Sequence, residues 1–247
     1  MNLREEKDVA YISFKRNSRN TLTTACFNKL SGYFRELSKR DSRPIAIVLE
    51  SEAEDVFSYG ADPDFFNSIS LSEKKDLFVS LMNFCKAALN SNIPFIVDLN
   101  GPAMAGGAIV ACLSDFAIAK SSKAKLSFSQ VKVGIPISNC LMKVAGRRIS
   151  AEYFSEMILL GKNYNASELE SMNFVNDLYD ESRDAVLTSL LSRVSRIDRG
   201  VMAYTLKNRN KYIIPEIDTY LHDFDKDFLS FLSAGETKSH FEGLKKL

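Results

Sequence analysis

Ile93-Pro94-Phe95-Ile96-Val97-Asp98-Leu99, then Asn100-Gly101-Pro102, then Ala103-Met104-Ala105-Gly106-Gly107 running on to Leu113, is the stretch that decides the fold. Its first part is a nearly continuous apolar run, as expected of a strand covered on both faces. Asn-Gly-Pro signals a turn. The small apolar run from Gly106 to Leu113 predicts a helix packed tightly inside a core. Upstream, Val9 to Phe14 and Ile45 to Leu49 predict further strands. Between them Asn17 to Asn20 is a polar loop. Thr23 and Thr24 are candidate N-caps for a helix carrying Phe27, Leu30, Phe34 and Leu37. A long helix is expected around Leu77 to Leu89. Downstream, Phe116 to Ala119 and Leu126 to Ser129 read as short strands, and from Ala151 the pattern is mainly helical. Alternating strands and helices followed by helices argue an α/β core over residues 1–191 and a helical region over 192–247.

With 247 residues, 45% apolar, the chain can bury a sizeable core. Thirty-two basic against 31 acidic residues leave a charge of +1, so no global field recruits nucleic acid or an anionic membrane. The four cysteines form no CxxC pair, and Cys85 and Cys112 lie in apolar stretches where a thiol behaves as a small hydrophobe. With His222 and His240 as the only histidines, no cluster has metal-ligand spacing. No apolar run reaches membrane-spanning length, and the charged N-terminal stretch lacks a signal-peptide core. A reducing cytoplasm is the expected location.

Two places combine glycine with a structured element: Tyr59-Gly60-Ala61-Asp62, and Ala103 to Gly107 before the apolar helix. Glycine permits close backbone approach, and amides at a helix N-terminus are donors without intrahelical partners. An amide from Gly106 paired with one from Ala61 would stabilise charge building on a carbonyl oxygen. Taken alone, Gly-Gly before a helix serves equally as a plain turn or a packing contact. Neither GxGxxG nor a P-loop is present, which weakens a phosphate-binding reading.

In combination these segments resemble the crotonase superfamily of enoyl-CoA hydratases and isomerases. Phe57-Ser58-Tyr59-Gly60-Ala61-Asp62 is similar to its F-x-x-G-A-D motif, and Ile93 to Gly107 resembles its K-P-x-I-A-A-V-N-G-x-A-x-G-G-G. Asp115 to Ala119 matches D-x-x-I-A, and Leu126 to Pro136 resembles F-x-x-P-E-x-x-x-G-x-x-P. Ala166 to Val175 resembles the family's A-x-E-A-x-x-x-G-L-V, with Asn173 in place of the glycine. Asn tolerates the left-handed conformation that follows a helix end. The resemblance implies a ββα spiral core followed by C-terminal helices, assembled as a homotrimer or hexamer. It implies an acyl-CoA or acyl-carrier-protein substrate, coenzyme A or phosphopantetheine being part of the substrate and no separate cofactor being needed. It assigns the oxyanion amides to Ala61 and Gly106, the pantetheine and adenine path to Tyr59, Gly60 and Asp62, and CoA-phosphate contacts to Lys245 and Lys246. A solvated charge pair is the alternative for the two lysines.

The chain departs from the family where hydratases carry two glutamates: Ile109 and Gln130 stand there, and neither transfers a proton. Several short patterns resemble homologues that dehydrate or decarboxylate carrier-bound chains in polyketide β-branching, where Lys75 would match a lysine of that group, an exposed surface lysine being the alternative. Asp98, a carboxylate in an apolar strand, is expected either to tie down the Asn100–Met104 turn or, with a raised pKa, to replace a missing glutamate. Phe224, Phe228, Phe231 and Leu232 form a stripe suited to a neighbouring subunit or to the chain's own core. Three readings stay open: a lyase or isomerase working through a thioester enolate, a decarboxylase or dehydratase on a carrier-bound chain, and a catalytically silent binding homologue.

Overall fold

The computed structural model describes residues 1–223 and 226–233. In chain order the strands are β1 (Asn2–Glu6), β2 (Val9–Phe14), β3 (Ala46–Ser51), β4 (Phe95–Leu99), β5 (Pro102–Met104), β6 (Phe116–Lys120), β7 (Lys125–Ser127), β8 (Tyr164–Asn165) and β9 (Asp177–Tyr179). The helices are α1 (Thr24–Lys39), α2 (Pro63–Ser68), α3 (Leu71–Asn90), α4 (Gly106–Leu113), α5 (Asn139–Ala145), α6 (Ala151–Leu159), α7 (Ala166–Ser171), α8 (Arg183–Ser195), α9 (Arg199–Asn210), α10 (Ile214–Asp223) and α11 (Lys226–Ser233), with a 3₁₀ turn at Ser129–Val133. None of the described helices is long and apolar enough to cross a membrane.

Six strands form the main sheet in the order β1-β2-β3-β4-β6-β9. Only the β1–β2 pair is antiparallel. β5, β7 and β8 form a second, smaller sheet. The chain turns from one sheet to the other at Asn100-Gly101. A side chain at Gly101 would collide with the Asp55 carbonyl, its Cβ falling 2.0 Å from that oxygen. The expected turn is therefore tighter than predicted, and Pro102 already belongs to β5.

The parity of the strands divides the core in two. Ala10, Ile12, Ile47, Leu49, Phe95, Val97 and Leu99 face α1 and α3 in the large cluster. Val9, Ala46, Val48, Ile96 and Ile118 face the other way, against Leu187 and Leu190 of α8. Both faces are covered, which is why these strands read as unbroken apolar runs. α1 starts at Thr23, whose hydroxyl accepts from the Cys26 amide. α7 ends as the Asn173 substitution predicts: Asn173 is left-handed at φ 57°, its amide donates to Glu170 O, and the Phe174 amide donates to Leu169 O. That is the paired Schellman closure.

α8 crosses residue 192, where the sequence places the change from core to helical region. α10 and α11 lie against α3. Of the predicted C-terminal stripe, Phe228 and Leu232 are buried within their own chain, and Phe228 meets Phe78 edge-on at 4.7 Å. The own-core alternative therefore describes those two residues, because a ring placed against Phe78 removes more apolar surface than one left for a partner. Phe231 is 40% exposed, and Phe224, His240, Lys245 and Lys246 lie outside the described residues.

Candidate active site

The Phe57–Asp62 segment and the Ala105–Gly107 turn meet across the two sheets. Ser58 bridges Ala103 in parallel, the Met104 amide donates to Ser58 O at 2.8 Å, and the Ala105 amide donates to Ser127 O at 2.9 Å. Gly60 has φ 74°, and a Cβ there would lie 2.6 Å from the Gly106 nitrogen. At Gly107 a Cβ would lie 2.4 Å from Ser58 O. Glycine is required at both places by close approach of backbone to backbone.

Two hydrogen bonds orient the amides of interest. The Leu22 amide donates to Gly60 O at 2.8 Å, which fixes the plane of the Gly60–Ala61 peptide. In a trans peptide the N–H points opposite to the C=O, so the Ala61 amide is turned away from Leu22. Likewise the Ile109 amide donates to Ala105 O at 3.1 Å, so the Gly106 N–H projects from the start of α4. Ala105 itself is held at φ 48°, ψ −113°, a conformation unusual for a residue with a Cβ. Among the described residues neither the Ala61 nor the Gly106 amide finds a protein acceptor.

Ala61 and Gly106 both line a cavity of about 400 Å³. Its lining includes Tyr59, Phe66, Leu77, Phe78, Ile109 and Leu141, with Arg19 and Lys132 as the charged residues among those described. No carboxylate and no histidine lines it among the described residues. Two fixed donors, one of them at the start of α4, in an apolar wall can hold an oxygen that gains negative charge. The two positions matched to hydratase glutamates, Ile109 and Gln130, both line this same cavity. The Ile109 side chain is buried and apolar. Gln130 is 9% exposed, and its Oε1 accepts no hydrogen bond from the described residues.

The structure does not bring every predicted residue to this place. Asp62 caps α2, accepting from the Phe65 amide at 3.0 Å. Asp98 shares the parity of Ile96 and so points at α8, away from the cavity. There it accepts from the Tyr179 hydroxyl and from Arg183 Nε, both at 2.5 Å, while Arg183 also pairs with Glu50. These partners replace the expected Asn100–Met104 amides, and they also account for the buried charge without a proton-transfer role. Burial raises the Asp98 pKa, against the opposing pull of Arg183 and Tyr179. Lys75 lies in α3 and does not line the cavity. Cys85 and Cys112 are buried, and burial pushes the Cys112 thiol up to about 12.

Sequence reasoning missed the residues that brace the Ala61 loop. Asn20 is fully buried, and its Nδ2 donates to Phe14 O, Ser51 Oγ and Phe57 O. Ser58 Oγ donates to Asn20 O at 2.8 Å and accepts from the Gly60 amide at 3.0 Å. Asn20 sits at φ 47°, a position only its type and glycine adopt readily. A single polar residue in a polar loop carries no signal for that role.

The family model for enoyl-CoA hydratase/isomerase matches residues 4–213. The cyclohexa-1,5-dienecarbonyl-CoA hydratase of Thauera aromatica is 22% identical over 202 residues, 81% of this chain and 74% of that protein. The enoyl-CoA isomerase/hydratase fer4 of Mycosarcoma maydis is 28% identical over 120 residues, 49% of this chain and 44% of its own length. With a Thermus thermophilus relative matched over 52% of its length, the chain spans about half the length of these two curated relatives. In fold, it is similar to the crystal structure of enoyl-CoA hydratase from Bacillus halodurans, with a TM-score of 0.86, 20% identity and 98% of both chains covered. The chain belongs to the enoyl-CoA hydratase/isomerase family of the crotonase superfamily.

Proposed function

We propose that the protein is a lyase or isomerase that holds an acyl thioester with its carbonyl oxygen between the Ala61 and Gly106 amides and works through the enolate. The observation that carries this reading is the meeting of two unpartnered amides at the wall of one apolar cavity. Drawing electron density onto the carbonyl oxygen acidifies the α carbon, so one site serves several enolate reactions. The apolar wall suits an acyl chain, and the thioester arrives on coenzyme A or on a carrier-protein phosphopantetheine. Tyr59, which lines the cavity, would meet the arm, with Gly60 beside it in the chain.

A second reading is favoured by the lining itself. With Arg19 and Lys132 in the lining and no carboxylate there among the described residues, loss of carbon dioxide from a carboxylated acyl chain would generate the enolate without a protein base. The departing C–C bond supplies the electron pair, and solvent then protonates the α carbon. The family name hydratase fits this lining less well, because hydration needs an acid and a base.

The test begins with a panel of acyl-CoA and acyl-pantetheine thioesters, read for product by mass spectrometry. Gly106→Pro then removes one donor outright, and Gly106→Ala keeps it. A Cβ at residue 106 would meet Gly60 Cα at 3.4 Å, an ordinary contact. Turnover should fall by about two to three orders of magnitude in the proline variant and survive in the alanine one. Full turnover by a folded Gly106→Pro protein would remove the centre of the proposal.

A further inference from the structure

Gln130 stands out among the polar groups of the cavity. It is 9% exposed, and its Oε1 is fully buried without a donor among the described residues. Its main chain is held firmly: Gln130 O accepts from the Ile135 amide at 2.9 Å, and Gly134 closes the 3₁₀ turn at φ 72°. The turn thereby fixes the point on the cavity wall from which the carboxamide extends. Of the orphaned buried side-chain atoms in the described chain, this is the one that belongs to the cavity of Ala61 and Gly106. A buried acceptor left unmatched costs free energy, so the site is built for an occupant that brings a donor.

The surroundings narrow the class. Arg19 and Lys132 line the same cavity and no anionic group does among the described residues, so a cationic donor such as an ammonium would be repelled. The neighbouring wall at Ile109 offers no polar partner. What remains is a neutral O–H or N–H donor. We infer that Gln130 is a specificity-determining residue whose carboxamide accepts a hydrogen bond from a neutral donor on the bound thioester, most directly a hydroxyl on the acyl chain. The assignment rests on the reading of this cavity as a thioester site. It gives Gln130 a binding role that involves no proton transfer. A site with such an acceptor discriminates against the ligand that lacks the hydroxyl, because that ligand displaces water and leaves the oxygen unpaired.

The experiment is titration calorimetry of the full chain with 3-hydroxybutyryl-CoA and with butyryl-CoA. The native protein should bind the hydroxylated ligand about tenfold more tightly, the effect of one buried acceptor left unmatched. Gln130→Met, close in shape but without the acceptor, should bring the two affinities together. The native comparison stands even if that variant folds poorly. Equal weakening of both ligands by Gln130→Met, with its unfolding midpoint unchanged, would place the donor on the pantetheine amides, the other neutral donors a thioester carries. Tight binding of both ligands without preference, unaltered by Gln130→Met, overturns the assignment of Gln130 alone. Binding of neither ligand overturns the thioester reading, and this assignment falls with it.

Discussion

Two polar sites, one on the α8 side of the main sheet and one on the side of α1 and α3, are built on opposite principles. On the α8 face, Asp98 and Glu50 stand directly opposite each other in the β3–β4 register, and Arg183 bridges both while Tyr179 completes the set. On the other side, the amides of Ala61 and Gly106 and the carboxamide oxygen of Gln130 are left without partners among the described residues. A fold satisfies the polar groups that hold it together and leaves open those that meet something else. The position of a carboxylate in an apolar strand does not therefore mark a catalyst; the state of its hydrogen bonds does.

Hydration would break this comparison most severely. A general acid or base contributes about two to four orders of magnitude, and among the described residues no carboxylate or histidine lines the open face. Crotonyl-CoA hydration by the native protein, followed by loss of the enoyl chromophore, should sit near background. A brisk rate would mean that a proton-transfer group reaches the cavity from outside its described lining.

The geometry of the open face can be sharpened at Gly60. Gly60→Ala forces a Cβ toward the Gly106 nitrogen at a left-handed residue. Displacing one donor by roughly 1 Å should lower turnover about a hundredfold, with thioester binding weakened less. Steady-state kinetics beside calorimetry separate the two effects.

The closed face should respond in stability alone. Asp98→Asn keeps the shape but leaves Arg183 with one charged partner fewer among those named, at a cost of about 1–3 kcal/mol near neutral pH. Turnover should be kept, and a stable variant without activity would reverse the roles of the two faces. The pH profile gives a second readout. Because burial raises the Asp98 pKa, its carboxyl favours the folded state fully below the unfolded value of about 3.9, and this contribution is lost as pH rises through the higher folded value. Urea midpoints of native and Asp98→Asn proteins across that window measure it.

The smallest effect belongs to neither face. Asn173→Ala puts a Cβ-bearing residue with no side-chain amide in the left-handed position after α7 and should cost about 1 kcal/mol, whereas Asn173→Gly should be neutral or better. Activity should be indifferent to both, as thermal unfolding beside a turnover assay would show.

Much of this was legible in the sequence because the signals were local. Unbroken apolar runs located β2, β3, β4 and β6, and the Gly106–Leu113 helix was bounded correctly on both sides. The two glycine loops were found because close backbone approach leaves glycine behind. Asp98 was legible in principle, since its parity with Ile96 already turns it from the Phe95, Val97 and Leu99 face. Other features were not legible. β1 reads as a charged tail, and it is a strand through its register with β2 and the stacking of Arg4 on Tyr11 at 4.0 Å. α2 is six residues long and begins at the Asp62-Pro63 step, which resembles a loop. Two of the three contacts of Asn20 Nδ2, to Ser51 and Phe57, reach segments some thirty to forty residues away and leave no trace in its own neighbourhood.

The bridge between Ser58 and Ala103 also has a consequence for how the protein acquires its ligand. The two donors come from segments separated by 45 positions (106 − 61), and they face one cavity only when β4 has turned into β5 and Ala103 has docked beside Ser58. No shorter piece of chain holds both, so a ligand that needs both has nothing to grip in the unfolded ensemble. Occupancy is then coupled to complete folding. A thioester at a hundred times its Kd would raise the free energy of global unfolding by about 2.7 kcal/mol, and a protease that cleaves only opened molecules would register the cell's supply of that ligand as a change in the lifetime of the protein.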